Sequence, residues 1–272
     1  MSSGGLVWSV RREVWENRSI YLAPLIVGAA LALSSIVGTF AGLNSPVGRF
    51  ASHVELAGAA LMGTTLIVAI FYCLDALYGE RRDRSVLFWK SMPVSDTEAV
   101  LSKMAVPMVI LPLLTFAITV VTQFCMLLFT SGIVAIRGES AAPLWNLPWG
   151  QMTTGLLYHL VTVHSLYYAP IFAWLLLVSA WAKRLPFLWA FLPPAAIGVL
   201  ERFVFNTTHF GSMLGARISG GMDSPPNKGM SMMLWPPHPL EFLARPGLWI
   251  GWLFAAACLA LAVWLRRRRD PI

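Results

Sequence analysis

Long apolar stretches, each bounded by charged residues, dominate the 272-residue sequence. A membrane-spanning helix needs about 20 consecutive apolar residues, so an uncharged interval of that length predicts a span. The pattern predicts six such helices, at about 20–42, 56–77, 104–130, 154–181, 185–205 and 247–265. The predicted fold is therefore an all-α integral membrane protein, with a single transmembrane domain over residues 1–272.

The fifth span is the shortest of the six. Only 16 uncharged residues separate Arg184 from Glu201, and they cover about 24 Å of helix, less than a roughly 30 Å hydrocarbon core. Extension through Glu201 to Phe205 supplies the missing length. Pro193 and Pro194 predict a kink, which neighbouring helices can accommodate by satisfying the freed carbonyl groups.

Composition supports the same class of protein. Hydrophobic residues make up 57% of the chain and charged residues 12%, with a mean hydropathy of +0.67. In a soluble domain about a quarter of the residues are charged, which is roughly twice the fraction found here. Soluble, disordered, collagen-like and coiled-coil proteins are therefore excluded. The cysteines, Cys73, Cys125 and Cys258, lie in apolar stretches, which is typical of buried free thiols.

The distribution of positive charge predicts the orientation. With six spans, the N-terminus, the loop at 78–103, the short loop at Lys183 and Arg184, and the C-terminus lie on one side. These segments contain 14 Lys and Arg residues, against six on the other side. Because positively charged loops stay in the cytoplasm, we expect both termini to be cytoplasmic. The loop at 206–246 is then extracytoplasmic.

The first 19 residues predict an amphipathic helix before the first span. Apolar residues recur there at three- and four-residue spacing, among arginines and glutamates: Leu6, Val7, Val10, Val14 and Trp15. Such a helix lies in the membrane interface, with its apolar side toward the acyl chains. A positively charged flank without helical structure is the alternative.

The loop at 78–103 concentrates charge in a chain that otherwise contains little. Five consecutive charged residues, Glu80 to Arg84, are followed by an apolar patch at 86–89. A charged helix with exposed aromatic residues is typical of an element that docks into a partner's groove. An interfacial loop held by lipid headgroups is the alternative.

The same loop contains a helix-start signal. Pro93 predicts a turn, and Ser95 with Glu98 three residues later has the spacing of a capping box. This pattern predicts that a helix begins near Asp96 and continues into the third span. The loop should therefore consist of a short cytoplasmic helix, a turn and a new helix.

Three short motifs in this region give the chain a family resemblance. They are Glu80-Arg81 after the second span, Met92-Pro93-Val94-Ser95 in the turn, and Ser102-Lys103 before the third span. With six spans and an N-terminal amphipathic helix, this combination resembles the permease subunits of ABC-2 type transporters. Their usual pattern is an "ER" pair, an "LPVS"-like turn and an "SK" pair, and Met92 replaces the commoner leucine. The resemblance covers nearly the whole chain.

The resemblance implies a half-transporter of the bacterial cytoplasmic (inner) membrane. A coupling helix between the second and third spans would contact a separate ABC ATPase subunit. The residues assigned to this contact are Glu80, Arg81, Arg82, Asp83, Arg84, Leu87, Trp89, Pro93 and Ser95. Lys183 and Arg184 would lie in the second, shorter cytoplasmic loop. A second permease copy or a paralogue would complete the translocation path within the lipid bilayer.

The sequence contains no recognisable motif for ATP hydrolysis. A G-x-x-x-x-G-K-[ST] P-loop is absent, as are H-E-x-x-H, C-x-x-C and G-x-S-x-G. We therefore expect this chain not to be an enzyme and to hold no cofactor, with ATP and Mg²⁺ bound on the partner ATPase. No nucleic-acid partner is expected.

Two groups of residues are candidate metal ligands, and we expect neither to bind a metal. His159 and His164 on the fourth span are about 140° apart on an α-helix, which is poor geometry for sharing one ion. Hydrogen bonding within the bundle is the simpler role. The loop at 206–246 is rich in methionine, whose thioether is a soft Cu(I) ligand but also a flexible hydrophobic contact.

The sequence thus favours the permease subunit of an ATP-driven ABC exporter. Two alternatives remain: a membrane sensor or resistance subunit of an ABC complex without bulk transport, and a secondary transporter. Inverted repeats or paired broken helices are typical of the latter. Aromatic and methionine residues favour an amphipathic or hydrophobic cargo. The choice between a homodimer and a heterodimer stays open.

Overall fold

The computed structural model describes residues 3–41, 48–84, 95–220 and 242–268, and every regular element in these ranges is a helix. The α-helices are α1 (Ser3–Glu16), α2 (Ser19–Phe40), α3 (Gly48–Ala76), α4 (Tyr78–Arg82), α5 (Asp96–Ala105), α6 (Leu111–Ile136), α7 (Ala142–Trp145), α8 (Trp149–His159), α9 (Ala169–Trp181), α10 (Pro186–Leu200), α11 (His209–Ile218) and α12 (Pro246–Arg268). Three π-helical segments, Val106–Ile110, Leu160–Tyr167 and Glu201–Phe205, directly follow α5, α8 and α10. The predicted all-α class is confirmed for the described residues.

Several of these helices are long and apolar enough to cross a membrane. Five qualify singly: Ser19–Phe40, Phe50–Arg82, Asp96–Ile136, Pro186–Phe205 and Pro246–Arg268. A bent pair, Ala142–Tyr167 with Ala169–Trp181, makes a sixth if it is one span. The chain is therefore a multi-pass membrane protein with five or six candidate spans.

The second and third of these helices are longer than the apolar pattern predicts. The second contains 33 residues and the third 41, because polar residues beyond each apolar stretch continue the helix. Pro107 and Pro112 lie in the third helix, and the π-helical turn Val106–Ile110 includes the first of them and ends just before the second. Proline lacks an N–H group, so a local change of hydrogen-bond pattern is expected there.

The fourth predicted span, at about 154–181, falls within the bent helix pair Ala142–Tyr167 and Ala169–Trp181. The helix bends by 45° near Tyr168, between the π-helical segment Leu160–Tyr167 and α9. Pro170 gives the physical reason. Its ring clashes with the carbonyl group four residues earlier, and it disfavours helical backbone at the preceding residue.

The fifth candidate span lies at the edge of the bundle. Pro193 and Pro194 lie inside α10, which continues through Glu201–Phe205 to a total of 20 residues. Ala190 is the buried residue of α10, and its carbonyl accepts a 3.1 Å hydrogen bond from Trp174 Nε1 of α9. Most apolar side chains of this helix are exposed.

The core surrounds α9, which packs against α3 and α12. Phe172 and Leu176 of α9 are fully buried there. A second close contact joins α2 and α6 at Gly28, where a Cβ atom would lie 2.7 Å from Thr122 Oγ1. Small residues permit such an approach between membrane helices.

Candidate functional site: an ion cluster at one end of the bundle

Glu80 of α4 is the centre of a group of charged residues, most of which are buried. Its Oε1 lies 3.0 Å from Lys103 Nζ of α5 and 3.4 Å from Arg12 Nη2 of α1. Its Oε2 lies 2.5 Å from Arg266 Nη1 of α12. The exposed fraction is 10% for the Glu80 side chain and 3% for Lys103. One carboxylate therefore connects four helices that are far apart in the sequence.

Glu13 of α1 is the second buried acid of this group, with 2% of its side chain exposed. Lys103 Nζ lies 2.8 Å from Glu13 Oε1, and Arg12 Nη2 lies 3.0 Å from the same oxygen. The Tyr72 hydroxyl of α3 donates a 2.9 Å hydrogen bond to Glu13 Oε2. Lys103 therefore bridges Glu13 and Glu80, and it ties the N-terminal helix to the bundle.

Arg266 extends the group to the start of α5, because its Nε lies 3.0 Å from Asp96 Oδ1. We call the six residues together the ion cluster: Arg12, Glu13, Glu80, Asp96, Lys103 and Arg266. It contains three acids and three cations, so its formal charges balance. Balance matters because an ionised group that is buried without a partner costs several kcal/mol.

Arg81 makes a separate anchor next to Glu80. Its Nη2 donates hydrogen bonds to the carbonyl oxygens of Ser179, at 3.0 Å, and Ala182, at 2.5 Å. In return, the Ser179 hydroxyl oxygen accepts bonds from the backbone N–H groups of Leu77 and Tyr78. Arginine at the end of a helix satisfies carbonyl groups that have no partner within that helix. The junction of α3 and α4 is thus fixed to the end of α9.

The predicted helix start at Asp96 is confirmed. The Ser95 hydroxyl oxygen accepts a 3.2 Å hydrogen bond from the Glu98 N–H, and the Glu98 carboxylate accepts one of 3.2 Å from the Ser95 N–H. This reciprocal pair is a capping box. The start of α5 is therefore fixed at Ser95.

The residues assigned to ATPase contact fall into three groups. Glu80 is mostly buried and Arg81 is buried, both are bonded within the chain, as described above, and Ser95 caps α5. Arg82, Asp83 and Arg84 are exposed, and Arg82 Nε lies 3.0 Å from Asp83 Oδ1. Leu87, Trp89 and Pro93 lie outside the described residues. In the second loop, Lys183 and Arg184 are exposed and directly follow Ala182.

Sequence reasoning missed five members of this site, which appear in no predicted contact: Arg12, Glu13, Tyr72, Asp96 and Arg266. Lys103 appears only in the Ser102-Lys103 motif. For Glu13 the sequence contains one signal of burial: this acid is adjacent to apolar Val14, in a helix whose other face is charged. Arg266 carried none, since the four consecutive arginines at the C-terminus are equally explained by orientation. Pairing between distant helices is not encoded by local spacing.

A second polar feature lies at the bend of the fourth span. The His164 side chain is buried, and among the described residues His164 Nε2, His159 Nδ1 and the Tyr158 hydroxyl have no hydrogen-bond partner. The π-helical segment Leu160–Tyr167 directly follows His159 and contains His164, so the angle of about 140° expected on a regular α-helix does not apply to this pair. In the described ranges, no group of three His, Cys, Asp or Glu residues is placed to hold a metal ion.

Comparisons with known proteins found none that is similar to this chain. No protein-family model matches it, and neither the curated proteins nor the solved structures include a match.

Proposed function

We propose that this chain is the permease subunit of an ATP-driven ABC exporter of the ABC-2 type. The observation that carries the proposal is the contact between two of the motifs on which the resemblance depends. Glu80 and Lys103 belong to the "ER" and "SK" pairs, and their side chains form a 3.0 Å ion pair in the interior. Arg81, the other member of the first pair, fixes the same region to α9.

This arrangement gives the loop between Arg82 and Ser95 two rigid attachment points. On one side Glu80 and Arg81 bind α5, α12 and the end of α9, and on the other side the Ser95 capping box and Asp96 bind the loop to α5 and Arg266. A force applied to the loop is therefore passed to several helices together. A partner that hydrolyses ATP needs a contact of this kind to drive the spans.

The exposed residues around this anchor form the surface that the proposal assigns to the ATPase. They are Arg82, Asp83, Arg84, Lys183 and Arg184. The first three follow α4 and the last two follow α9, and both groups lie at the same end of the molecule because Arg81 is bonded to the end of α9. The proposed ATPase would bind ATP and Mg²⁺. Arg12 near the N-terminus and Arg266 near the C-terminus also lie at this end. We assign it to the cytoplasm of a bacterial inner membrane, and we propose that two permease chains enclose the path.

Purification through this chain from its native membrane tests the proposal. The recovered complex should hydrolyse ATP, and the chain stripped of its partners should not. The variant R82E/R84E should lose the ATPase, whereas the control R202E, at the opposite end of α10, should keep it. Recovery of the wild-type chain with no ATPase, or hydrolysis by the stripped chain, would contradict the proposal.

A secondary transporter is the second candidate, and the bend of the fourth span favours it. Broken helices and buried ionisable side chains are typical of such proteins. The fourth span has both, because it bends at Tyr168 and the side chain of His164 is buried. The candidates differ in their energy source. Accumulation of cargo in vesicles that contain this chain alone, driven by a pH gradient and lost in H164A, would support the second candidate.

A further inference from the structure

A groove of about 640 Å³ lies beside the ion cluster, with α1 as one wall and the start of α5 and the end of α12 as the other. Its size is within the usual range of small-molecule sites, roughly 300–1,000 Å³. Arg12, Glu80, Asp96 and Arg266 line part of it, and these four are paired within the ion cluster. That part of the lining therefore has no net charge.

Two further arginines make the groove positive. Arg11 lines the α1 wall and forms no salt bridge with any described residue. Arg267 lines the α12 wall, is 61% exposed, and has only a 3.9 Å contact with Asp96, which Arg266 already occupies at 3.0 Å. A ligand between the two walls therefore meets two exposed cations: Arg11 has no carboxylate partner among the described residues, and Arg267 has only the 3.9 Å contact with Asp96.

The α1 wall also presents two tryptophans. Trp8 and Trp15 both line the groove and are 65% and 64% exposed. The Arg11 guanidinium lies 5.3 Å from the centre of the Trp8 ring and 4.5 Å from that of Trp15. Tryptophan is enriched at the level of lipid headgroups. Its rings also hold the arginine in place through cation–π contact.

We propose that this groove binds the phosphate group of an anionic phospholipid, between Arg11 and Arg267. Only two residues separate α1 from the first candidate span, which places the groove near the headgroup layer. Basic pockets at the cytoplasmic surface attract anionic headgroups. The bound phosphate joins α1 to α12 by a second route, outside the ion cluster. The site requires only this end of the molecule to face an anionic leaflet, so it does not depend on the proposed transport function.

Binding of a fluorescent phosphatidylglycerol to the full chain in phosphatidylcholine nanodiscs tests the site. The variant R11Q/R267Q should bind it about tenfold more weakly than the wild type, because each basic residue contributes to the attraction of an anionic headgroup. K183Q/R184Q is the matched control, since it removes two exposed cations at the same end but outside the groove. It should bind as the wild type does.

Competition experiments on the wild type decide the source of the phosphate, even if a variant fails to fold. Unlabelled phosphatidylglycerol should displace the probe, whereas phosphatidylcholine and inorganic phosphate should not. Equal displacement by phosphatidylcholine would show an ordinary lipid contact, and displacement by inorganic phosphate would show a site for a soluble anion. Either result, or an unchanged affinity in folded R11Q/R267Q, would overturn the proposal.

Discussion

Glu80 contacts cations from α1, α5 and α12, so its carboxylate is a single point at which distant parts of the chain depend on one another. The stabilising effect of such a group differs from that of a surface ion pair. Exposed pairs contribute about 0–1 kcal/mol, whereas loss of one member of a buried pair leaves its partner buried and uncompensated.

We expect Glu80→Ala to lower the free energy of unfolding by about 3 kcal/mol, because Lys103 and Arg266 would each lose a buried partner. Asp83→Ala is the matched control. It removes a carboxylate from the same region, but Asp83 is exposed and should change stability by less than about 1 kcal/mol. Denaturant titration in detergent micelles measures both, and equal losses would show that the ion cluster has no special role.

At this scale the sequence predicts local contacts and misses distant ones. The capping box was predictable, because Ser95 and Glu98 are three residues apart and the physical reason for their pairing is contained in that spacing. The pairing of Glu80 with Lys103 and Arg266 was not, because it requires three helices to meet at their ends. The sequence shows that Glu80 is charged, but it does not show that this carboxylate pairs with other helices inside the bundle.

Among the helices, the apolar pattern locates most of the spans and misjudges their shape. The helix after Ser95 extends to Ile136, because helical hydrogen bonding continues through residues that hydropathy assigns to loops. The bend at Tyr168 was missed although Pro170 is visible in the sequence, since a membrane helix often tolerates proline. Pro193 and Pro194 illustrate this tolerance, because both lie inside α10.

The contact between α2 and α6 gives a prediction about packing. Gly28→Ala should destabilise the protein by about 1–3 kcal/mol, because the new Cβ would lie 2.7 Å from Thr122 Oγ1 and 3.3 Å from Ile118 Cγ2. Gly63→Ala is the control, since no atom lies within 4 Å of its added Cβ. The unfolding temperature in detergent should therefore fall for Gly28→Ala, whereas Gly63→Ala should leave it unchanged or raise it, because alanine is favoured over glycine inside a helix. A shift of the same size in both would mean that glycine matters for the helix backbone and not for this contact.

For the whole molecule, the ion cluster and the positive charge of the loops support one orientation. α1, α4, the start of α5 and the end of α12 meet at one end, and that end carries most of the Lys and Arg residues in the described ranges. Orientation relative to the cell depends on the membrane and its insertion machinery, so it is a separate question from the fold.

Cysteine labelling in intact cells checks this orientation. Ser212→Cys, on the exposed surface of α11, should react with a membrane-impermeant maleimide added outside. Lys183→Cys should react only after the cells are opened, because we place its loop in the cytoplasm. The unmodified chain is the control for Cys73, Cys125 and Cys258. Labelling of Lys183→Cys in intact cells, with protection of Ser212→Cys, would reverse the proposed topology.

The most direct test of the proposed coupling is site-specific photocrosslinking from position 83 in living cells. Asp83 is exposed directly after α4, next to Glu80 and Arg81, which are bonded within the bundle. A photoreactive amino acid there should crosslink to a polypeptide that contains a P-loop, and the same substitution at Arg202 should not. Crosslinks from position 83 to lipid alone, or to no ATPase, would contradict the account.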